Sequence, residues 1–227
     1  MTREELAALC KATPSDWLYD VCKSAVHGSC YGLAPEGMSD NILKQSYKKS
    51  GEPLFVLAAL CESLQRLFFS RYPGVKTWHR QAERLVVESG VHTSPSGQRR
   101  VFYGRRREFN RRTGQWQVCR ATLREFLAHE PQNNTTYAVL LALSCLWNDP
   151  ENRRSDTNEL LVEPLHTVHD SLIVQWRFEH TAFARTKLRE WFRNPLTIAG
   201  CEVVIPYEGQ FGTSWGELGE KYGGGDL

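Results

Sequence analysis

Lys23, His27 and Tyr31 recur at every fourth residue of KSAVHGSCYG. On a helix each such step drifts about 40°, so the three side chains share one face over roughly 12 Å. A cation at one end and two rings beyond it suit an elongated ligand with an anionic end and a flat end: lysine for phosphate, His and Tyr for a sugar and a base. Gly28 and Gly32, beside them, would let another body approach closely. The same residues also fit a plain polar helix face with two incidental glycines. A second group is His169-Asp170, between two extended runs. A carboxylate on a tight strand bend is rigid and exposed, which suits Mg²⁺, although Asp is also a common turn residue. His166 and His169 fall on opposite faces of a strand, so a two-His zinc site is not expected. A third is Arg124 and Gln132 in RATLREFLAHEPQNNTTY, where Gln132-Asn133-Asn134-Thr135 is a polar patch beside an apolar helix. Such groups read base edges in a groove, or Asn133 or Asn134 caps the next helix. Finally, RRVFYGRRREFNRR holds seven arginines: Arg99, Arg100, Arg105, Arg106, Arg107, Arg111 and Arg112. A dense cationic segment attracts polyanions in a salt-dependent way, or it is a solvated hairpin.

These residues need elements to hold them. Arg3–Ala12 reads as a short helix. Thr13-Pro14-Ser15-Asp16 then starts another, with Thr as N-cap and Pro at N1, which runs to about Tyr31 and ends at Gly32. Asn41–Ser50 is helical, stopped by Gly51 and Pro53. Leu54–Arg71 has apolar residues at a 3–4 spacing and reads as a long helix. Tyr72-Pro73-Gly74 is a turn, and Val75–Glu88 a helix closing at Gly90. Residues 91–118 read as strands and hairpins carrying the arginines. Two helices follow, Ala121–Ala128 and Thr135–Trp147, then a polar loop over Asn148–Asp156. Leu160–Val168 and Leu172–Trp176 are strands; in the second, Leu172, Val174 and Trp176 alternate with polar or outward residues. His180–Phe192 is a helix, Gly200–Tyr207 a strand, and Gly223-Gly224-Gly225 a frayed tail.

The chain has 227 residues with 41% hydrophobic and 24% charged, ordinary globular usage and enough to bury a core. Its 11% aromatic content, with seven Trp, excludes a wholly disordered chain. The longest apolar stretch, Tyr137–Trp147, is far short of the roughly 20 residues that a membrane span needs. No secretory signal is visible in MTREELAALCK. Net charge is only +2, so the distribution of charge, not its balance, points to a partner. Seven Cys without C-x₂₋₄-C spacing read as reduced, mostly buried thiols in a cytosol-like compartment.

Taken in order, the segments resemble A-family DNA polymerases, the bacterial polymerase I type and its phage relatives. KSAVHGSCYGLAPEGM resembles the nucleotide-binding helix, with its Lys–x₃–aromatic–x₃–Tyr-Gly pattern. FFSRYPGVKTWHRQA and GVHTSPSGQRRVF resemble the segments that follow. RATLREFLAHEPQNNTTYAVLLAL resembles the helix of primer–template contacts, LHTVHDSLIVQW the metal-binding His-Asp hairpin, and GTSWGEL the last palm segment. The resemblance covers nearly the whole chain in the correct order.

It implies an α+β fold: a helical fingers subdomain, then a small antiparallel palm sheet with flanking helices. Residues 1–90 would be fingers-like, and 91–227 palm-like with the Arg-rich and His-Asp hairpins. Lys23 would contact the incoming triphosphate. His27 would face its sugar and base, where the family has Phe or Tyr. Tyr31, with Gly32, would sit by the templating base. Arg124 and Gln132 would contact the primer–template minor groove, and Arg99, Arg100, Arg105, Arg106 and Arg107 would also bind DNA. His169 would support the primer terminus, and Asp170 would hold Mg²⁺. Tyr19 stands where the family has Arg, and Ser171 where it has Glu. The 22 residues before Lys23 contain no Asp…Glu-Leu strand of the kind that carries the family's other catalytic Asp. Two-metal phosphoryl transfer needs converging carboxylates. The resemblance therefore implies the C-terminal part of a split, template-directed DNA polymerase. It would add deoxynucleotides to a primer end with a partner chain carrying the N-terminal palm and thumb, and be inactive alone. Its place would be the cytoplasm, that of the host for a phage-encoded chain. The competing expectation is a non-catalytic nucleic-acid-binding or assembly protein derived from the same fold.

Overall fold

The computed structural model describes residues 17–219 and 225–226. The first sequence helix, Arg3–Ala12, and the cap at Thr13 lie outside them. The fold is α+β, as expected, and the chain divides into two compact units. The first takes the described residues up to His92 and Arg100–His129. The second takes Thr93–Arg99 and the residues from Glu130 onward.

Four helices open the first unit: α1 (Trp17–Cys30), α2 (Pro35–Ser50), α3 (Ala58–Arg71) and α4 (Pro73–Glu88). Val21 and Ala25 of α1, Met38 and Ile42 of α2, Val56 and Cys61 form one buried cluster, with Leu33, Leu54 and Leu64 against it. The pairs 21/25 and 38/42 are i, i+4 steps, so each helix turns one apolar stripe to the cluster. A methyl group at Gly28 would come within 2.9 Å of Met38 Cε. That glycine is used for close packing of α1 on α2, not for approach of an external body. Helix α2 begins at Pro35, earlier than the expected Asn41, because Pro at N1 starts a helix with its φ already set. It ends at Gly51, whose φ of 75° is left-handed. Helix α3 starts at Ala58, not Leu54. Leu54 N–H donates to Ser46 Oγ at 2.8 Å, and Ser39 Oγ donates to the Val56 carbonyl. These bonds hold residues 54–57 extended. Of Tyr72-Pro73-Gly74, expected as a turn, only Tyr72 is non-helical, capping both α3 and α4, while Pro73 stands at N1 of α4 with Gly74 after it.

Residues 91–118 are hairpins, as expected: β1 (Val91–Thr93) with β2 (Arg99–Val101), and β3 (Arg107–Asn110) with β4 (Gln115–Val118). A second cluster of the first unit joins Ala82, Val86, Phe102, Phe126 and Leu127, with Trp78, Val118 and Leu123 around it.

Helix α5 (Arg120–Asn148) corrects the sequence reading, which placed a break between two helices. It is continuous, with Pro131 inside. The Thr135 and Thr136 hydroxyls donate to the Gln132 carbonyl at 2.8 and 3.0 Å. Asn133 does not cap a helix: its side chain bonds to Gln98 and Ser96.

The second unit is built on Ala142, Leu146, Val162, Ala184, Leu188 and Trp191. Hairpin β5 (Val162–Val168) and β6 (Ser171–Trp176) packs on this cluster through Leu172, Val174 and Trp176, in the alternation read from the sequence. Helix α6 (Thr181–Phe192) and hairpin β7 (Pro195–Ile198) and β8 (Cys201–Val204) follow. The expected single strand over 200–207 is the second arm of this hairpin. Ala199 and Gly200, both at positive φ, make its two-residue turn. Strand β9 (Gln210–Ser214) lies between β10 (Glu217–Leu218) and β11 (Gly225–Asp226). The expected frayed tail is corrected there, since Gly225 and Asp226 pair with Phe211 and Gln210. Gly223 and Gly224 lie outside the described residues.

Candidate functional site

Lys23 and His27 are exposed on α1, and Tyr31 follows just past its end, half-buried. The His27 and Tyr31 rings meet edge to face, with centroids 6.1 Å apart. The corner after α1 is held from several sides. Tyr31 N–H bonds to the His27 carbonyl at 3.0 Å, and Leu33 N–H to that of Gly28 at 2.8 Å. His79 Nε2, on α4, bonds to the Cys30 carbonyl at 2.7 Å and so carries its proton there; Gln65 donates to the Leu33 carbonyl at 2.7 Å. Gly32 has φ +67°, and a Cβ there would press on Leu127 Cδ1 at 3.3 Å. Burial, with Cys30 adding to it, pushes the Tyr31 phenol up, so it stays a protonated donor.

A cavity of about 1010 Å³ opens in this unit beside that corner. Tyr31 and Gly32 border it, with Arg80 and Arg84 of α4 and Arg120 and Arg124 of α5. Four arginines against Glu83 and Glu88 leave it cationic. Arg124 is exposed and its Nε donates to the Arg120 carbonyl at 3.4 Å. Lys23 and His27 are not among the residues lining the cavity. The sequence reading missed His79, Arg80, Arg84 and Arg120. The i, i+4 spacing of Arg80 and Arg84 was a signal, but only the fold shows that they line one cavity with Tyr31.

The Arg-rich segment is partly structural. The Arg100 guanidinium lies over the Phe102 ring, 4.9 Å from its centroid, and contacts His129. Arg106 donates to the Glu88 carbonyl at 3.3 Å. The Arg105 carbonyl accepts the Thr122 hydroxyl at 2.7 Å. The side chains of Arg99, Arg105 and Arg107 are exposed.

In the second unit, His169-Asp170 is the two-residue turn of the β5–β6 hairpin, closed by the Val168–Ser171 pair. His169 takes φ +53°, a left-handed value that costs of order 1 kcal/mol or more for a residue other than Gly. His169, Asp170 and Ser171 are exposed. Gln132, on α5, is exposed too. Of Tyr19 only the helical backbone is described. Among the described residues no three His, Cys, Asp or Glu side chains group as a metal site would need. Asp170 thus offers one carboxylate, and the described donor set does not by itself fit a magnesium pair.

No family model and no curated protein matches the chain. Among solved structures, it is similar to the POL domain of Pol1 from M. smegmatis in complex with DNA primer-template and dNTP. The TM-score is 0.56 and the identity 20%, covering 77% of this chain and 27% of that one. The chain thus spans little more than a quarter of the length of that structure. What the two share is the fold, which is polymerase-like.

Proposed function

We propose that this chain is the C-terminal, fingers-and-palm part of a template-directed DNA polymerase, with residues 1–90 acting as fingers and 91–227 as palm. The observation that carries the reading is the cationic cavity that Tyr31 and Gly32 line together with Arg124, Arg80, Arg84 and Arg120. The polymerase-like fold supports it. Its volume is at the upper end of what small-molecule sites use, and a phosphorylated, flat ligand matches its lining. In this reading the deoxynucleotide extends from the cavity along α1, where Lys23 and His27, outside the cavity lining, take the triphosphate and the sugar while Tyr31 offers its ring to the base. Arg124 and Gln132 contact the primer–template. His169 supports the primer end, and Asp170 supplies one of the carboxylates for Mg²⁺.

Transfer of a nucleotidyl group needs more than one such carboxylate. We assign the second to an N-terminal palm-and-thumb segment outside these 227 residues, whether on a partner chain or on a longer form of this one. A second reading, a nucleic-acid-binding protein without catalysis, is favoured by one observation: Asp170 has no grouped partner ligand among the described residues. Both readings require binding. Titration of the full chain with a primer–template duplex should show Arg124→Ala weakening duplex affinity severalfold. Tyr31→Ala should instead weaken nucleotide retention on the complex and spare the duplex. Unchanged duplex affinity in Arg124→Ala would contradict both readings.

A further inference from the structure

The β3–β4 hairpin leaves its aromatic face to solvent. Phe109 and Trp116 are direct cross-strand partners, with ring centroids 5.7 Å apart and planes at 66°. They stay 51% and 67% exposed. Arg107 and Val118 are the other pair on that face. Val118 packs on the second cluster and anchors the root of the hairpin; the rings lie beyond that anchor.

The opposite face holds a chain of hydrogen bonds. Asn110 Nδ2 donates to Gln117 Oε1 at 3.0 Å, Gln117 Nε2 to Glu108 Oε1 at 3.1 Å, and the Arg120 amide to the same oxygen at 3.3 Å. Asn110 Oδ1 also accepts the Arg112 and Thr113 amides at 3.0 and 3.3 Å, which sets the turn. Exposed Arg111 and Arg112 are therefore fixed to the tip. A hairpin ordinarily turns its rings into the protein, because each buries a large apolar area. This one is braced by its polar side and by Val118, and the two rings have no such role.

The charge decides the occupant. Arg107 stands on the ring face, Arg111 and Arg112 at the tip, and Arg105 and Arg106 just before the hairpin. The single acidic side chain of β3 and β4, Glu108, is on the other face and already engaged. A partner with regular negative charges and flat groups between them fits this pattern. Duplex DNA hides its base faces and would use only the arginines; an unpaired strand offers both. We propose that the β3–β4 hairpin is a stacking platform for single-stranded DNA, with bases on Trp116 and Phe109 and phosphates on Arg107, Arg111 and Arg112. The two rings and these three arginines do not line the cavity, which the root of the same hairpin borders through Gln117 and Val118, and the proposal does not depend on the polymerase reading.

The experiment is fluorescence anisotropy of the full chain with a labelled oligo(dT) of about 12 nucleotides across a salt series. Stacking is a sequence-tolerant contact whose loss weakens binding roughly 5- to 150-fold per base. Trp116→Ala should weaken oligo(dT) binding about tenfold, with the salt slope and the affinity for a blunt duplex unchanged. The double variant Arg111→Ala/Arg112→Ala should instead flatten the slope by about 1.4, at about 0.7 per phosphate on a single strand. Oligo(dT) should quench indole emission in the wild type, and that quench should disappear in Trp116→Phe, a variant that keeps an aromatic pair. Oligo(dT) affinity within twofold of wild type in Trp116→Ala, or an undiminished quench in Trp116→Phe, overturns the proposal. So does an equal loss for the duplex, tighter binding of oligo(rU), or self-association abolished by Trp116→Ala. Duplex binding and primer extension that survive such an outcome leave the polymerase reading standing.

Discussion

Gly32 stands where a left-handed backbone, a buried leucine and the mouth of the cavity coincide. An alanine there would keep the strained φ and push on Leu127. Gly32→Ala should lower stability by about 1–3 kcal/mol in thermal or urea unfolding. Gly51, whose φ is also positive but whose surroundings are open, should pay only the backbone part. Lys23 and His27 should separate in function. Lys23→Ala should raise the nucleotide KM severalfold in a reconstituted polymerase, because a cation counts for more near a partly desolvated phosphate. His27→Phe should leave triphosphate contacts intact and shift the preference between deoxy- and dideoxynucleotides. Equal losses in both variants for every substrate would mark the helix as structural. The spacing of Lys23, His27 and Tyr31 was legible in the sequence, because a helical period is local. The use of Gly28 was not, since Met38 reaches it from another helix. Nor was the company of Tyr31, since Arg80, Arg84 and Arg124 come from two other helices.

At the scale of elements, Pro131 and Asp149 are the informative cases. The sequence reading left a gap between helices over residues 129–134, and the proline within it would itself interrupt a helix, since it removes one helical hydrogen bond and its ring clashes with the preceding turn. The helix nevertheless runs on, and just past the proline Thr135 and Thr136 bond back to the Gln132 carbonyl and Asn133 is tied to Gln98. Pro131→Ala should therefore raise the unfolding midpoint, by up to about 3 kcal/mol in stability; a lower midpoint would mean that the proline is needed where it stands.

Asp149 follows the end of that helix and caps a short 3₁₀ turn through the Glu151 amide at 2.8 Å. Burial pushes its carboxyl up. The Trp191 indole N–H at 2.9 Å, the Glu151 amide and the Lys187 ammonium at 3.1 Å outweigh that and hold it below the usual range. Lys187 is raised in turn, first by the Glu151 carboxylate at 2.6 Å and, against its burial, by Asp149 and Glu190. The two shifts bound one pH window. The Asp149 contribution is full above its unfolded value near pH 4 and is lost as pH falls through the lower folded value. The Lys187 contribution is full below its unfolded value near pH 10.4 and is lost as pH rises through the higher folded one. Asp149→Asn should cost about 1–3 kcal/mol at pH 7 and make the acid limb of the stability curve shallower; an acid limb that superimposes on the wild type would contradict this.

At the scale of the molecule, order carried the sequence reading further than any single motif. Six short segments, each weak alone, were read in the order of one family, and the fold is polymerase-like. The hidden part was non-local. Nothing in the order of segments showed that the Phe109–Trp116 pair would stay open, or that Asp170 would stand without grouped carboxylates among the described residues. Duplex affinity should fall with salt as a power law, about 0.9 in log affinity per neutralised phosphate. Removing Arg105, Arg106 and Arg107 together should flatten that slope; an unchanged slope would leave them merely solvated.

Primer extension separates a catalytic subunit from a binding protein. The full chain, its Asp170→Asn variant and its Ser171→Ala variant would each be assayed with Mg²⁺, with and without a chain carrying the missing Asp strand and thumb. Asp170→Asn keeps shape and much of the hydrogen bonding but removes the charge that holds an ion, while a hydroxyl at 171 is a weak ligand. The expected result is no extension by any chain alone, extension by the wild-type pair, near-complete loss with Asp170→Asn and a much smaller loss with Ser171→Ala. Extension by the wild-type chain alone, or full activity of the Asp170→Asn pair, would contradict the split catalytic site.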